Sequence, residues 1–261
     1  MATFNKRGYK APKEKAEKID NTFIEDVNVD EKDSATAKAF DTLDQTANKA
    51  EDFIAKNQKA IMGFLTVVVV VVVGYFGYQK FIAEPKQDEA ADELFVAQQN
   101  FQKAVAGDVK ADSLFNLVLK GSEGKFGVVR IAEEFSGTDA ANQANYMAGI
   151  AYLNTGKYAE AIASLEKFSS TDLMLNALSK GAIGDAYAQQ NKPKEALEFY
   201  LKAADAGKDD FTRPRYLLKA GKTALAMGNK ADALKYFTDI KDNFESSTEA
   251  QQIDALIGLA Q

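Results

Sequence analysis

Three stretches decide the fold: residues 146–168 (YMAGIAYLNTGKYAEAIASLEKF), 181–203 (GAIGDAYAQQNKPKEALEFYLKA) and 218–240 (LKAGKTALAMGNKADALKYFTDI). Set in register, Gly149, Gly184 and Gly221 coincide, 35 and 37 residues apart. Tyr152, Tyr187 and Ala224 follow one turn later, and Gly156, Asn191 and Gly228 stand where each first helix must stop. Ala161, Ala196 and Ala233 then align, followed by Leu165, Tyr200 and Phe237. Small residues at two fixed points let a pair of helices approach closely, and the large residues fill the groove to the next pair. A supersecondary unit repeated at this period cannot bury its apolar face alone, so it predicts a stack of helix hairpins.

This spacing resembles the tetratricopeptide repeat, whose period is about 34 residues. The clear repeats cover residues 142–244. They lack the tryptophan of the full consensus, and the third carries Ala224 in place of tyrosine. Flanking helices are expected at 88–106, 113–119, 126–135 and 248–259, capping the stack as a solenoid requires. The segment GSEGKFG (121–127) lacks the GK[ST] ending of a phosphate loop and a preceding strand, and it reads as a connection between helices. The expected fold is therefore all-α: a tetratricopeptide-type α-solenoid over residues 83–261, joined to a single transmembrane helix.

That helix is expected within residues 60–78, AIMGFLTVVVVVVVGYFGY, a run of 19 residues without a charge. As a helix it spans roughly 28 Å, close to the hydrocarbon thickness of a bilayer. The seven valines at 67–73 could alone be a buried parallel strand, but the apolar stretch is about three times a typical strand. Lys56, Lys59 and Lys80 flank it, and Tyr75, Tyr78 and Phe81 cluster at the exit, where aromatic rings favour the headgroup layer. It lies too deep in the chain for a cleavable signal peptide and reads as an uncleaved signal anchor, with the membrane segment taken as 60–82.

Before the span, residues 1–33 read as a disordered tail, basic in its first 18 positions, suited to anionic lipid, to ribosomal RNA or to no partner. An amphipathic helix is expected at 34–59, with Asp33 or Ser34 as N-cap. Phe40, Leu43, Ala47, Ala50, Ile54, Asn57 and Ile61 recur at alternating spacings of three and four, an a/d seam running into the span. The small seam residues argue for a membrane surface or a partner helix rather than self-association. Phe40, Leu43, Ile54 and Ile61 are its anchor positions.

Composition narrows the function. The chain has no His, Cys or Trp. Histidine bases, thiolate nucleophiles, Cys/His zinc sites and disulfides are excluded. No catalytic, cofactor-binding or metal site is expected, and no cofactor. The net charge is −6, and residues beyond Lys80 carry 20 basic against 26 acidic side chains. Nucleic acid is therefore not an expected partner of the C-terminal domain.

A second resemblance spans the anchor. EDFIAKNQKA (51–60), the span with Gly74 and Gly77, YQKF (78–81) and ADELFVAQQNFQKAV (91–105) are similar to the YfgM family of bacterial inner-membrane proteins. The resemblance implies a cytoplasmic N-terminus, one span and a periplasmic tetratricopeptide domain. It also implies an ancillary place at the SecYEG translocon beside a PpiD-type periplasmic chaperone, meeting emerging secretory polypeptides, with membrane lipid around the anchor. The positive-inside rule, applied to the basic tail, gives the same orientation. The alternative is a structural scaffold that tethers another cell-envelope complex to the inner membrane. In either case a protein-binding groove is expected on the first helices of the hairpins, with Gln143, Tyr146, Ile150, Leu153, Leu178, Asp185, Arg215, Leu218, Lys222 and Leu225 facing into it.

Overall fold

A computed structural model describes residues 35–107 and 110–261. The tail expected at 1–33 and the caps at Asp33 and Ser34 lie outside them. The chain divides into two compact units, one ending at Val72 and the other running from Val73 to Gln261. The fold is all-α, a tetratricopeptide-type solenoid and one long apolar helix.

Helix α1 (Ala35–Tyr78) is 44 residues long and carries the seam and the valine run without interruption. Polar side chains on it close onto their own backbone: Thr46 Oγ1 donates to the Thr42 carbonyl at 2.6 Å, and Asn57 Nδ2 to the Phe53 carbonyl at 2.8 Å. All seven valines of 67–73 are exposed, and no part of the most apolar window is buried. Among the described residues this is the one helical run long and apolar enough to cross a membrane.

The second unit begins inside that run. A π-helical turn (Gln79–Ala83) leads directly into α2 (Glu84–Val105). By sequence Glu84, Pro85 and Lys86 read as a short break after the apolar run, and the structure has none there. A proline ring inside an α-helix clashes with the carbonyl four residues back. Here the helix widens first: the Glu84 N–H bonds the Gln79 carbonyl, five residues back, and Pro85 occupies the first turn of the new helix.

α3 (Ala111–Lys120) follows, then strands β1 (Gly121–Ser122) and β2 (Lys125–Phe126), and α4 (Val128–Glu134). The segment expected to be a plain connection is thus a two-residue antiparallel hairpin, pairing Gly121 with Phe126 and Ser122 with Lys125. Glu123 and Gly124 both have positive φ, the requirement of a type I′ turn. The hairpin is tied to α2. Lys125 Nζ meets Asp92 at 2.5 Å and Glu93 at 3.1 Å, and the Phe126 N–H donates to Glu93 Oε2 at 2.9 Å.

Three helix pairs then stack: α5 (Asp139–Asn154) with α6 (Tyr158–Lys167), α7 (Leu173–Gln189) with α8 (Pro193–Ala206), and α9 (Thr212–Ala226) with α10 (Lys230–Asn243). A 3₁₀ turn (Thr248–Gln252) and α11 (Ile253–Ala260) close the C-terminal end. The first helices end alike. Gly156, Asn191 and Gly228 all have positive φ. In each case the next N–H bonds a carbonyl five residues back: Lys157 to Tyr152 at 2.8 Å, Lys192 to Tyr187 at 3.0 Å and Asn229 to Ala224 at 2.9 Å. That is the Schellman closure.

The close approaches expected at the glycines are present. A Cβ on Gly149 would lie 2.7 Å from Leu165 Cδ2, on Gly184 2.7 Å from Tyr200 Cδ1, and on Gly221 2.8 Å from Phe237 Cδ1. Ala161, Ala196 and Ala233 are fully buried opposite them. Three apolar clusters run in series along the stack, the first in α2–α5, the second in α5–α7 and the third in α7–α11. Each repeat is stabilised by its neighbours, as in any quasi-one-dimensional fold.

Candidate protein-interaction surface

The first helices of the hairpins form one layer, and α2 joins it. Gln98 Nε2 donates to Gln143 Oε1 at 3.2 Å, and the Phe101 and Tyr146 rings meet edge to face with centroids 6.5 Å apart. Tyr146 also touches Phe168 at 5.1 Å, and its burial raises its pKa. α2 is the helix expected at 88–106, but its place in the first-helix layer was not anticipated, because its residues stand outside the repeat register. The run of polar and aromatic residues at helical spacing in Gln98, Phe101 and Gln102 was the available signal.

The expected groove residues fall into three groups. Ile150 and Leu153 are half-buried against the second cluster, and Leu178, Leu218 and Leu225 against the third. Arg215 and Lys222 are exposed. Arg215 stacks over the Phe211 ring at 6.0 Å. Lys222 and Leu218 share a cavity of about 230 Å³ with Thr248, Glu249, Gln252 and Leu256. Asp185 is engaged within the array. Its Oδ1 accepts from Tyr200 Oη at 2.8 Å, and its carboxylate takes Lys219 Nζ at 2.6 and 2.8 Å. That ammonium lies 5.5 Å from the centre of the Tyr200 ring and 5.8 Å from that of Tyr216.

This node joins the second hairpin to the third, and Lys219 and Tyr216 were not anticipated. Burial pushes the Tyr216 hydroxyl up to about 12. Burial, and then the Asp185 charge, raises that of Tyr200. Both rings therefore stay neutral through the physiological range.

On the α4–α6 side, a cavity of about 660 Å³ opens between the α4–α5 connection and the end of α6. Glu133, Asn145 and Lys167 line it and also a smaller neighbour reaching Tyr152 and Glu160. Asn142 closes one end by reciprocal bonds with Ser169, at 2.8 and 3.0 Å. On α1, the seam positions Phe40, Leu43 and Ile54 are exposed and Ile61 half-buried. Phe40 and Leu43 border a shallow groove with Asp41, Asp44 and Ala47. Among the described residues no cluster of acidic side chains has the arrangement to hold a metal ion.

Three tetratricopeptide-repeat family profiles match the chain, at residues 143–172, 181–214 and 215–247. The matched segments are a tetratricopeptide-repeat array. They fall on the three hairpins in order, one profile to each. No curated protein matches the chain. Arrays of this kind bind protein partners, so the tetratricopeptide segment is a protein–protein interaction module.

Proposed function

We propose that the chain is a membrane-anchored accessory subunit of the Sec translocon, holding its tetratricopeptide array beside the channel to meet emerging polypeptides or a PpiD-type chaperone. The observation that carries the reading is the union, in one chain, of an unburied apolar helix at 60–78 with a repeat array, the helical run continuing from the first without a break into α2, which packs on the array's first helix. The similarity of residues 51–60, 78–81 and 91–105 to the YfgM family supports the choice of channel. The proposed division is a tail at 1–33, an amphipathic helix at 34–59, an anchor at 60–82 and the solenoid at 83–261. The proposed site is the bacterial inner membrane, with the N-terminus cytoplasmic and the solenoid periplasmic.

In this reading Gln143, Tyr146, Ile150, Leu153, Leu178, Leu218 and Leu225 form a half-polar floor for transient contact, with Asp185 bracing it. Arg215 and Lys222 supply its exposed charge. Phe40, Leu43, Ile54 and Ile61 present the seam to lipid or a partner helix. The work is binding rather than catalysis, since neither histidine nor cysteine is present. The test is purification of the full chain in mild detergent with identification of what accompanies it. SecYEG is expected. Its absence, with a different envelope complex recovered, overturns the translocon reading in favour of a scaffold. Protease added to cells with permeabilised outer membranes is expected to degrade residues 90–261, and their survival refutes the orientation.

A further inference from the structure

Between α4 and α6 the stack leaves a trough that its own packing does not fill. Both helices pack on α5, and the cavity of about 660 Å³ between them runs on into its neighbour of about 200 Å³. Ala132, Glu133, Asn145 and Lys167 line both. The floor is one face of α5: Ala141, Asn145, Ala148 and Tyr152, at spacings of four, three and four. From Ala141 to Tyr152 that face is about 16 Å long, the reach of roughly five residues of extended chain. In the repeat register Asn145 stands where the second and third hairpins have Lys180 and Leu217. Leu217 is 4% exposed and belongs to the third apolar cluster. The first hairpin has a half-buried amide in its place, and the space beside it stays open.

The groups around the trough are available for bonding. Among the described residues nothing hydrogen-bonds the Asn145 amide, and Glu133, Glu160 and Lys167 have no ion-pair partner. Glu160 and Glu133 look onto the same ring: after burial, their charges raise the pKa of Tyr152. Asp139 adds a third carboxylate at the open end. Three carboxylates against the Lys167 ammonium give the lining a formal charge of −2. Glu166, next to Lys167 in the chain, is exposed and of the same sign. The other cations nearby are engaged. Arg130 is bonded to Glu134 at 2.8 Å, Lys86 Nζ donates to the Ser136 carbonyl at 2.9 Å, and Lys157 lies 5.7 Å from the centre of the Tyr152 ring.

We propose that this trough binds an extended polypeptide segment carrying basic side chains, with Asn145 reading its backbone. A primary amide has both donors and an acceptor, so Asn145 can pair with the C=O and N–H of the bound chain. An extended chain sends alternate side chains to one face, so lysine or arginine at every second position reaches Glu133 and Glu160. Lys167 is left to donate to a backbone carbonyl. The trough is separate from the first-helix surface. At about 100° per residue, Ala141, Asn145, Ala148 and Tyr152 lie roughly 150° around α5 from Gln143, Tyr146, Ile150 and Leu153. The two faces can therefore hold two different segments at once. All of these residues belong to the second unit, and the proposal depends neither on the apolar run nor on the translocon reading.

The test is fluorescence anisotropy of the full chain in nonionic detergent with a short fluorescein-labelled peptide of alternating lysine and threonine. A glutamate–threonine peptide, and the lysine peptide methylated on its backbone nitrogens, serve as comparisons. The lysine peptide is expected to bind saturably, and more weakly as salt is raised. Asn145→Leu, which sets the third hairpin's residue in the trough, is expected to weaken binding about tenfold or more, the contribution of one or two hydrogen bonds. Glu133→Gln combined with Glu160→Gln changes only exposed side chains. It is expected to weaken binding several-fold and to flatten the salt dependence. Absence of saturable binding, or equal binding of the glutamate peptide, overturns the proposal. Equal binding of the methylated peptide overturns the backbone reading on which it stands. Binding that ignores both trough variants but changes in Arg215→Glu and Lys222→Glu puts the peptide on the first-helix surface, which overturns this proposal and leaves the proposed function standing.

Discussion

Replacing Asp185 by alanine tests whether this residue belongs to the stack or to a binding groove. In the structure it accepts from Tyr200 Oη at 2.8 Å and from Lys219 Nζ at 2.6 and 2.8 Å. A hydrogen bond to a charged group contributes about 1.5–3 kcal/mol. The ion pair is about one-third exposed on both sides, so it contributes no more than about 1 kcal/mol. Asp185→Ala is therefore expected to destabilise by about 2–4 kcal/mol. Tyr200 is 4% exposed, and its hydroxyl would be left without its partner. Tyr200→Phe removes that hydroxyl, so the double variant escapes the penalty and loses at least about 1 kcal/mol less than the sum of the two. The assay is urea unfolding of the full chain in detergent, followed by helical circular dichroism, for the wild type, both single variants and the double. Additivity within about 0.5 kcal/mol, the behaviour of independent sites, refutes the node and leaves Asp185 free to serve a partner.

Three other outcomes follow from the same geometry. Gly221→Ala gains about 1 kcal/mol of helix propensity but forces a methyl against Phe237, at a cost of about 1–3 kcal/mol. It is expected to lower the unfolding midpoint. Gly258→Ala, where a Cβ meets nothing within 4 Å, is expected to raise it. Tyr216, pushed up to about 12 by burial, keeps its proton in the folded chain after the unfolded tyrosine has lost it near 10. Its share of stability is thus fully present below pH 10 and falls by about 1.4 kcal/mol per pH unit up to about 12. Melting curves across that window are expected to flatten in Tyr216→Phe. Reversing the exposed charges in Arg215→Glu and Lys222→Glu is expected to shift stability by no more than about 0.5 kcal/mol. Crosslinking of the array to its co-purified partner is expected to drop several-fold, and an unchanged yield removes both residues from the surface.

The repeat was legible because it is written in residues whose size is dictated. Gly149, Gly184 and Gly221 face a leucine, a tyrosine and a phenylalanine with no room for a methyl, and the αL positions accept only glycine or asparagine at low cost. The long apolar helix was legible for a different reason, since bare length in an apolar run has few solutions. The parts that escaped depend on contacts between elements far apart in the chain. The hairpin at 121–126 is held by Asp92 and Glu93, some thirty residues away, and two-residue strands carry no periodicity of their own. Pro85 suggested a break because proline is read against α-helical geometry, and the preceding π turn removes the clash that reading assumes. Asp185 stood out for its place in the first helix, but which groups would hold it depended on Lys219, one hairpin further on.

The unbroken passage from the apolar run into α2 has a consequence for how the array works. A coil between Tyr78 and Glu84 would let the solenoid sample many heights and directions, so any contact with a fixed partner would carry the entropy of ordering that linker. Here the connection is helical throughout, and α2 is itself a wall of the first-helix layer through Phe101 and Tyr146. Under the proposed anchoring of residues 60–78, weak side-chain contacts would suffice for a partner held in the same bilayer, because helix rather than coil joins that run to α2. A half-polar surface of leucines, tyrosines and a few charges is adequate under that condition, and it would be poor under free diffusion.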